Sequence, residues 1–262
     1  MTTPRSLTKT TSFGVTNAVF IGRSIRLSIR NTEALIMAIA LPVMLMLLFT
    51  YVFGGAIDPS GNYVNYVVPG IILLCAGFGS SSTAVDVAHD MTNGIIDRFR
   101  TMPILSLSVV TGHVAASLAR NLLATAVVIC VAWLVGFRPS AGVLEWLAAI
   151  GIIILFILTF TWLFAAIGLI TGSPSAASGY GFALLFLPYL SSAFVPTDTM
   201  PGWLQGIANH QPITPVIETI RGLLTGTPIH DNAWWAIGWC LVILLIALAW
   251  CFAAFHRKAG RR

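Results

Sequence analysis

Charged residues are scarce in this chain of 262 residues. Asp, Glu, Lys and Arg make up 9% of it, against ~25% in an average soluble domain, while 57% of the residues are hydrophobic. Residues 146–197 contain no charged residue at all. A run of that length is about twice the ~20 apolar residues that cross a bilayer as a helix. The scarcity of charge therefore excludes a soluble domain and predicts a polytopic membrane protein.

Lysine is nearly absent, since only Lys9 and Lys258 occur. Neither follows a Gly-x-x-x-x-Gly run, which excludes a Walker A phosphate loop. The cysteines lie inside apolar runs without a Cys-x-x-Cys pair, which is typical of small buried side chains. We therefore expect no cofactor on this chain. Nucleic acid is not an expected partner either, because the basic residues lie at the ends of apolar segments, where they suit anionic lipid.

Apolar segments of membrane-spanning length recur six times, which predicts an all-α fold with six transmembrane helices. Between the fourth and fifth lies Thr171–Gly179, a stretch rich in turn-forming residues. The whole chain, 1–262, is expected to form a single transmembrane domain. We place the spans at about 34–53, 66–87, 110–135, 146–170, 179–195 and 233–255.

Two further segments are predicted to be helical without crossing the membrane. Residues 13–31 place three arginines on one face beside apolar residues, a pattern typical of an amphipathic helix in the membrane interface. The Arg-rich N-terminus also resembles a mitochondrial transit peptide. Residues 199–226 carry apolar residues at helical spacing, but their apolar stretches are too short for a span. They predict a re-entrant pair of short helices, broken near Gln211-Pro212.

The distribution of basic residues indicates the orientation. If both termini and the loops 88–107 and 171–178 are cytoplasmic, eleven Lys and Arg lie inside, and only Arg138 and Arg221 lie outside. Such a bias is typical of inner loops. It predicts a plasma-membrane protein with both termini in the cytoplasm.

The segment from Asp90 to Pro103 is the most informative loop. Ile95, Phe99 and Met102 form one apolar stripe at helical spacing, and Pro103 ends the short helix. Patterning alone leaves two interpretations open. The helix either lies on the lipid surface or protrudes and inserts into another protein, with an aromatic residue as anchor.

Two runs of sequence resemble a known family. Asn93–Ile104, which reads Asn-Gly-Ile-Ile-Asp-Arg-Phe-Arg-Thr-Met-Pro-Ile, resembles the first cytoplasmic loop of type 2 ABC-transporter permeases, with Asp97 where Glu is commoner. Residues 196–215 and Glu218–Gly226 look like the outer-loop region of the daunorubicin-resistance-type permeases in that family. The two matches occur in the right order and extend the resemblance over nearly the whole chain.

The resemblance implies the membrane subunit of an exporter, without catalytic residues of its own. A separate ABC ATPase, in two copies, would carry ATP and Mg²⁺, and a second copy of this permease or a close relative would complete the unit in a bacterial cytoplasmic membrane. The apolar spans suit a lipid or an amphipathic drug. The helix that couples the permease to the ATPase would comprise Gly94, Ile95, Ile96, Asp97, Arg98, Phe99, Arg100, Thr101, Met102 and Pro103.

Arg120 is a charged residue inside the third span, and His113 lies on the same helix face. Both are candidates either for lining a translocation path or for a bridge to Asp86 or Asp90. The alternative for Arg120 is that its side chain extends to the lipid headgroups. Together with His89, these two aspartates share one face at the end of the second span. We expect no metal there, because polar residues are common at the end of a span.

The aromatic residues Phe182 and Phe186 in the fifth span are further translocation-path candidates, with core packing as the alternative. The resemblance also implies an outer gate in the segment 199–226, for which Trp203, Glu218 and Arg221 are candidates. The spacing of Glu218 and Arg221 also predicts a local i, i+3 ion pair.

Two other functions compete with an ABC exporter. An ion-driven secondary transporter often carries acidic residues near the bilayer midplane, whereas every Asp and Glu here lies in a loop or at the end of a span. An intramembrane serine protease of the rhomboid kind requires a Gly-x-Ser-Gly nucleophile, which this sequence lacks.

Overall fold

The computed structural model describes residues 32–93 and 107–259. All regular secondary structure within these ranges is helical. The predicted interfacial helix at 13–31 and the predicted coupling helix at 94–103 lie outside the described residues. The longer helices are α1 (Thr32–Leu47), α2 (Tyr63–Thr92), α3 (Leu107–Val135), α4 (Val143–Ile170), α5 (Pro174–Leu184), α6 (Gly202–His210), α7 (Ile213–Thr225) and α8 (Asn232–Ala259).

Five helical stretches in the described ranges are long and apolar enough to cross a membrane. They coincide with the first, second, third, fourth and sixth predicted spans. The first includes the π-helical residues Leu48–Phe53 and the turn Gly54–Ile57, which continue α1. The predicted class, an all-α polytopic membrane protein, is confirmed. The stretches are Ala38–Ile57, Tyr63–Thr92, Val110–Val135, Val143–Ile170 and Asn232–Ala254.

The fifth predicted span, 179–195, is not one continuous helix. Helix α5 begins earlier, because Ser173 accepts a hydrogen bond from the Ala176 amide at 3.2 Å and proline occupies the first turn. It ends at Leu184, four residues before Pro188, where the proline ring would clash with the helical carbonyl. A 3₁₀ turn, Leu187–Leu190, and non-helical turns follow. We refer to residues 174–195 as the broken passage.

The broken passage nevertheless follows α2 over most of its length, in the opposite direction. Gly181 lies beside Ser81, and Leu185 lies beside Gly77. Further along, the Tyr63 hydroxyl donates to the Phe194 carbonyl at 2.7 Å. The contacts thus proceed from one end of α2 to the other, so the passage spans the thickness of the bundle without being a single helix.

Helix α2 lies at the centre of the fold and packs against α1, α3, α4, α5 and α7. Its residues from Val67 to Gly77 are all buried. Close approach of its neighbours depends on small residues. A methyl group added at Gly70 would lie 2.7 Å from the Ala193 carbonyl oxygen, and one added at Gly79 would lie 1.5 Å from Asn121 Oδ1.

The two short helices expected within 199–226 are present as α6 and α7, and the break falls at Gln211-Pro212. Nearly all of α7 is buried. It ends at Gly226, which adopts the left-handed conformation with φ 74° that favours glycine at this position. We refer to α6 and α7 as the α6–α7 hairpin.

Candidate functional site

Arg120 is buried between α2 and α3, with 9% of its surface exposed. Its guanidinium donates to the Ser82 hydroxyl and, at 3.5 Å, to the Gly79 carbonyl, and it lies 4.0 Å from the Asp86 carboxylate. An unpaired charge at the centre of a membrane helix costs ~2.5–3.5 kcal/mol on insertion scales. These partners offset that cost. The structure therefore has Arg120 as a bridge from α3 to α2.

A second polar pair joins the same two helices nearer to their connection through residues 94–106. His113 Nε2 lies 2.9 Å from Asp90 Oδ2. His89 instead contacts Asn93 at 2.9 Å. Asp86, Asp90 and His89 therefore contact three different residues. Two bridges thus link α2 and α3 close to the ends that flank residues 94–106.

A polar layer of four buried side chains, Ser80, Ser117, Asn121 and Thr161, connects α2, α3 and α4. The Asn121 amide donates to the Ser80 and Ser117 hydroxyls, both at 3.2 Å, and the Thr161 hydroxyl lies 3.2 Å from that of Ser80. Interhelical hydrogen bonds of this kind hold membrane helices together. Sequence reasoning did not select these residues, although an asparagine in an apolar helix was a visible signal.

At the other end of the bundle, Arg221 of α7 is only 4% exposed. It donates to the Tyr66 carbonyl from Nε at 3.2 Å and to the Ser192 carbonyl from Nη2 at 2.7 Å. Its guanidinium carbon lies 3.8 Å from the centre of the Tyr66 ring, which is cation–π geometry. The expected ion pair with Glu218 is formed. Arg221 thus joins α7, α2 and the broken passage.

The three outer-gate candidates do not form one cluster. Glu218 and Arg221 are paired on α7, whereas Trp203 lies on α6 with 73% of its surface exposed. The described residues therefore contain a buried junction at Arg221 and a separate exposed indole.

An aromatic row runs along the broken passage to Phe49 in the π-helical continuation of α1. Ring centres are 5.2 Å apart for Phe182 and Phe186, 6.1 Å for Phe186 and Tyr189, 5.3 Å for Tyr189 and Phe194, and 4.1 Å for Phe194 and Phe49. These distances are close to the ~4.5–7 Å range of interacting rings. The two path candidates, Phe182 and Phe186, are 60% and 52% exposed, so they are not core residues of this chain.

A bundle of long apolar helices with buried polar bridges defines a multi-pass helical membrane protein. Residues 17–225 match the family described as ABC-2 type transporter. The chain therefore belongs to the ABC-2 type transporter family, and the expectation of an ABC-transporter permease is confirmed. This membership excludes the secondary transporter and the intramembrane protease.

Several named relatives are similar to this chain over most of its length. It is 31% identical over 211 residues to the daunorubicin resistance ABC transporter permease protein DrrB1 of Streptomyces coeruleorubidus, covering 80% of this chain and 73% of that protein. It is 26% identical over 236 residues to the probable doxorubicin resistance ABC transporter permease protein DrrC of Mycobacterium tuberculosis, covering 87% and 85%. It is also 26% identical over 233 residues to the putative transport permease ycf38 of Cyanophora paradoxa, covering 83% and 79%.

Proposed function

We propose that this chain is the membrane subunit of an ATP-driven exporter that moves a lipid or an amphipathic drug-like compound out of the cytoplasm. A separate ATPase, present in two copies, binds ATP and Mg²⁺, and this chain contributes no catalytic residue. The relatives named for daunorubicin and doxorubicin resistance support a drug-like substrate. Six passages through a bacterial cytoplasmic membrane, with both termini on the cytoplasmic side, agree with the charge bias.

The observation that carries the proposal is the exposed side of the broken passage. Non-helical backbone at membrane depth is stable only where protein buries it or where it lines a water-filled cavity. One side of this passage packs on α2. The other side presents Phe186, Tyr189 and Leu190, which are 52%, 36% and 39% exposed. We infer that a second copy of the chain, or a substrate path between two copies, covers this side.

A twofold dimer also agrees with the number of coupling helices. One chain supplies a single segment 94–103, whereas a pair of ATPases presents two grooves. Closed twofold symmetry is the commonest arrangement of such assemblies. In this dimer the aromatic row offers uncharged planar faces to a flat amphipathic ligand.

The substrate assignment is tested with daunorubicin and the complex of this chain with its ATPase in liposomes. We expect Phe186→Ala to raise the drug concentration for half-maximal ATPase stimulation about tenfold, because an aromatic contact is worth ~0.5–1.5 kcal/mol beyond its buried area. Basal ATP hydrolysis should not change. The control is Leu245→Ala on α8, where the native side chain is 65% exposed. Equal drug responses in both variants would contradict a path along the aromatic row.

Residues 94–103 are proposed to be the coupling helix. Helix α2 ends at Thr92 and α3 begins at Leu107, so this segment connects them directly. Because the bridges Asp90–His113 and Asp86–Arg120 fix the two helices near the loop, a push on the segment would move both together.

Phe99→Ala is expected to release the ATPase from the permease without altering membrane insertion. Truncating a central aromatic anchor costs ~2 kcal/mol or more at an interface, whereas a rim charge costs less. Arg100→Ala should therefore be milder and sensitive to salt. Pro103→Leu should weaken coupling by letting the helix continue into α3. The measurement is ATPase recovered with tagged permease, and wild-type recovery with Phe99→Ala would exclude the coupling role.

The orientation is tested by single cysteines in a variant without the native four. Cysteine at Ser60 or Thr227 should react with an impermeant maleimide added to intact cells, and cysteine at Ser175 should react only after lysis. All three native positions are exposed on the protein surface, so accessibility depends on the side of the membrane. If only Ser175→Cys is labelled in intact cells, the orientation is the opposite of the one proposed.

A further inference from the structure

A cleft of about 350 Å³ opens between the α6–α7 hairpin and the start of α8. Three helices line it, namely the end of α6, the first turn of α7 and the first two turns of α8. Its volume is in the ~300–1,000 Å³ range of small-molecule sites. The lining residues are Asn209, His210, Pro215, Asn232, Trp235 and Trp239.

Two of the tryptophans at the start of α8 contribute to the cleft, and one does not. Asn232, Trp235 and Trp239 lie on one face of α8 at i, i+3, i+7, and all three line the cleft. Trp234 lies on another face and is 77% exposed. Tryptophan at the end of a membrane helix commonly anchors the protein at the interface, which accounts for Trp234. Trp235 and Trp239 instead offer indole surface to a ligand held against the α6–α7 hairpin.

The polar groups of the cleft are one imidazole and two carboxamides. None of the six lining residues is Asp, Glu, Lys or Arg. His210 Nδ1 lies 2.8 Å from the Gly206 carbonyl oxygen. Since a carbonyl only accepts, Nδ1 carries the hydrogen, and Nε2 of the neutral ring is an acceptor. Asn209 and Asn232 each supply one acceptor oxygen and an amino group with two donors.

We propose that this cleft binds the sugar ring of a neutral glycoside or glycolipid. A pyranose has a C–H-rich face that packs on an indole, and its hydroxyls both donate and accept, as carboxamides do. A phosphate group would require cationic donors, and the lining residues include no lysine or arginine. An ammonium group would favour a carboxylate, which the lining also lacks. The site goes beyond the proposed transport function, and its test does not depend on the proposed orientation.

The test uses the purified permease alone in nanodiscs of phosphatidylethanolamine and phosphatidylglycerol. Saturation-transfer NMR measures binding of a panel of methyl glycopyranosides. We expect saturable binding of at least one of them, weakened about tenfold by Trp239→Leu through loss of the indole face. Asn209→Ala should also weaken it, and because Asn209 is exposed this variant keeps the packing. The matched control, Trp234→Leu, should bind as the wild type does.

Nanodiscs that contain monoglucosyl diacylglycerol distinguish the two sources of the sugar. If this lipid suppresses the signal of the free glycoside, the site accepts a membrane-borne sugar, and if it does not, the site takes soluble glycosides. Either result supports the proposal. Binding of neither free nor lipid-borne sugar, equal loss in Trp234→Leu, or equally tight binding of phosphocholine would overturn it. Because the assay needs neither ATP nor the ATPase, its outcome is independent of the exporter proposal.

Discussion

Arg221→Met is expected to destabilise the purified permease by about 3 kcal/mol and to abolish transport, because a hydrogen bond to a charged group contributes ~1.5–3 kcal/mol. The native guanidinium is 4% exposed and bonds to the carbonyls of Tyr66 and Ser192 as well as to Glu218. Methionine fills a similar volume but donates nothing. The variant therefore leaves two carbonyls and one carboxylate without this partner, and α7 loses its link to the broken passage.

The control for Arg221 is Arg138→Met, since Arg138 is an exposed arginine that contacts carbonyls of its own neighbourhood, Trp133 and Phe137. The melting temperature of Arg138→Met should be close to that of the wild type. Arg221→Lys should be intermediate, because one ammonium cannot reproduce the planar fork. Thermal melting followed by size-exclusion chromatography in one detergent measures all three. A melting temperature of Arg221→Met equal to that of Arg138→Met would show that the junction is not stabilising.

Hydropathy was sufficient to locate the long helices, because a membrane helix satisfies its own backbone and needs only apolar length. It was insufficient for the broken passage. Pro42 and Pro69 lie inside α1 and α2, whereas α5 ends at Leu184, four residues before Pro188. Whether the chain leaves the helix near a proline depends on hydrogen-bond donors from distant parts of the sequence. Carbonyls freed by the break accept hydrogen bonds from Tyr63, Tyr66, Gln211 and Arg221, which local sequence does not reveal.

The candidate site was partly predictable for a similar reason. Helical spacing put His113 and Arg120 on one face of α3, and their partners Asp86 and Asp90 on one face of α2, so bridges could be anticipated. The contacts of Asn121 depend on the register of three helices, which periodicity within a single helix does not give. Trp203 was grouped with the Arg221 pair from a resemblance, and the structure separates them because α6 and α7 turn at Gln211-Pro212.

A single methyl group added where α4 contacts α2 is expected to destabilise the protein by a comparable amount. A Cβ added at Gly168 would lie 2.5 Å from the Ala84 carbonyl oxygen and 3.0 Å from Val87 Cβ. The oxygen belongs to the backbone of α2, so no rotamer change relieves the clash and the helices must separate. Overpacking of this kind costs ~1–3 kcal/mol. Gly168→Ala is therefore expected to lower the melting temperature of the purified permease.

Gly151 provides the matched control because it lies on the same helix with no heavy atom within 4 Å of an added Cβ. Gly151→Ala should stabilise slightly, since alanine is favoured over glycine inside a helix by ~0.5–1 kcal/mol. The two substitutions thus have opposite expected effects on stability.

Separation of the helices at Gly168 should also lengthen the 3.2 Å contact between Thr161 and Ser80, two turns away on the same face of α4. This change would loosen the polar layer. Transport should consequently fall in Gly168→Ala and persist in Gly151→Ala. Equal melting and equal transport in the two variants would contradict the close packing of α2 on α4.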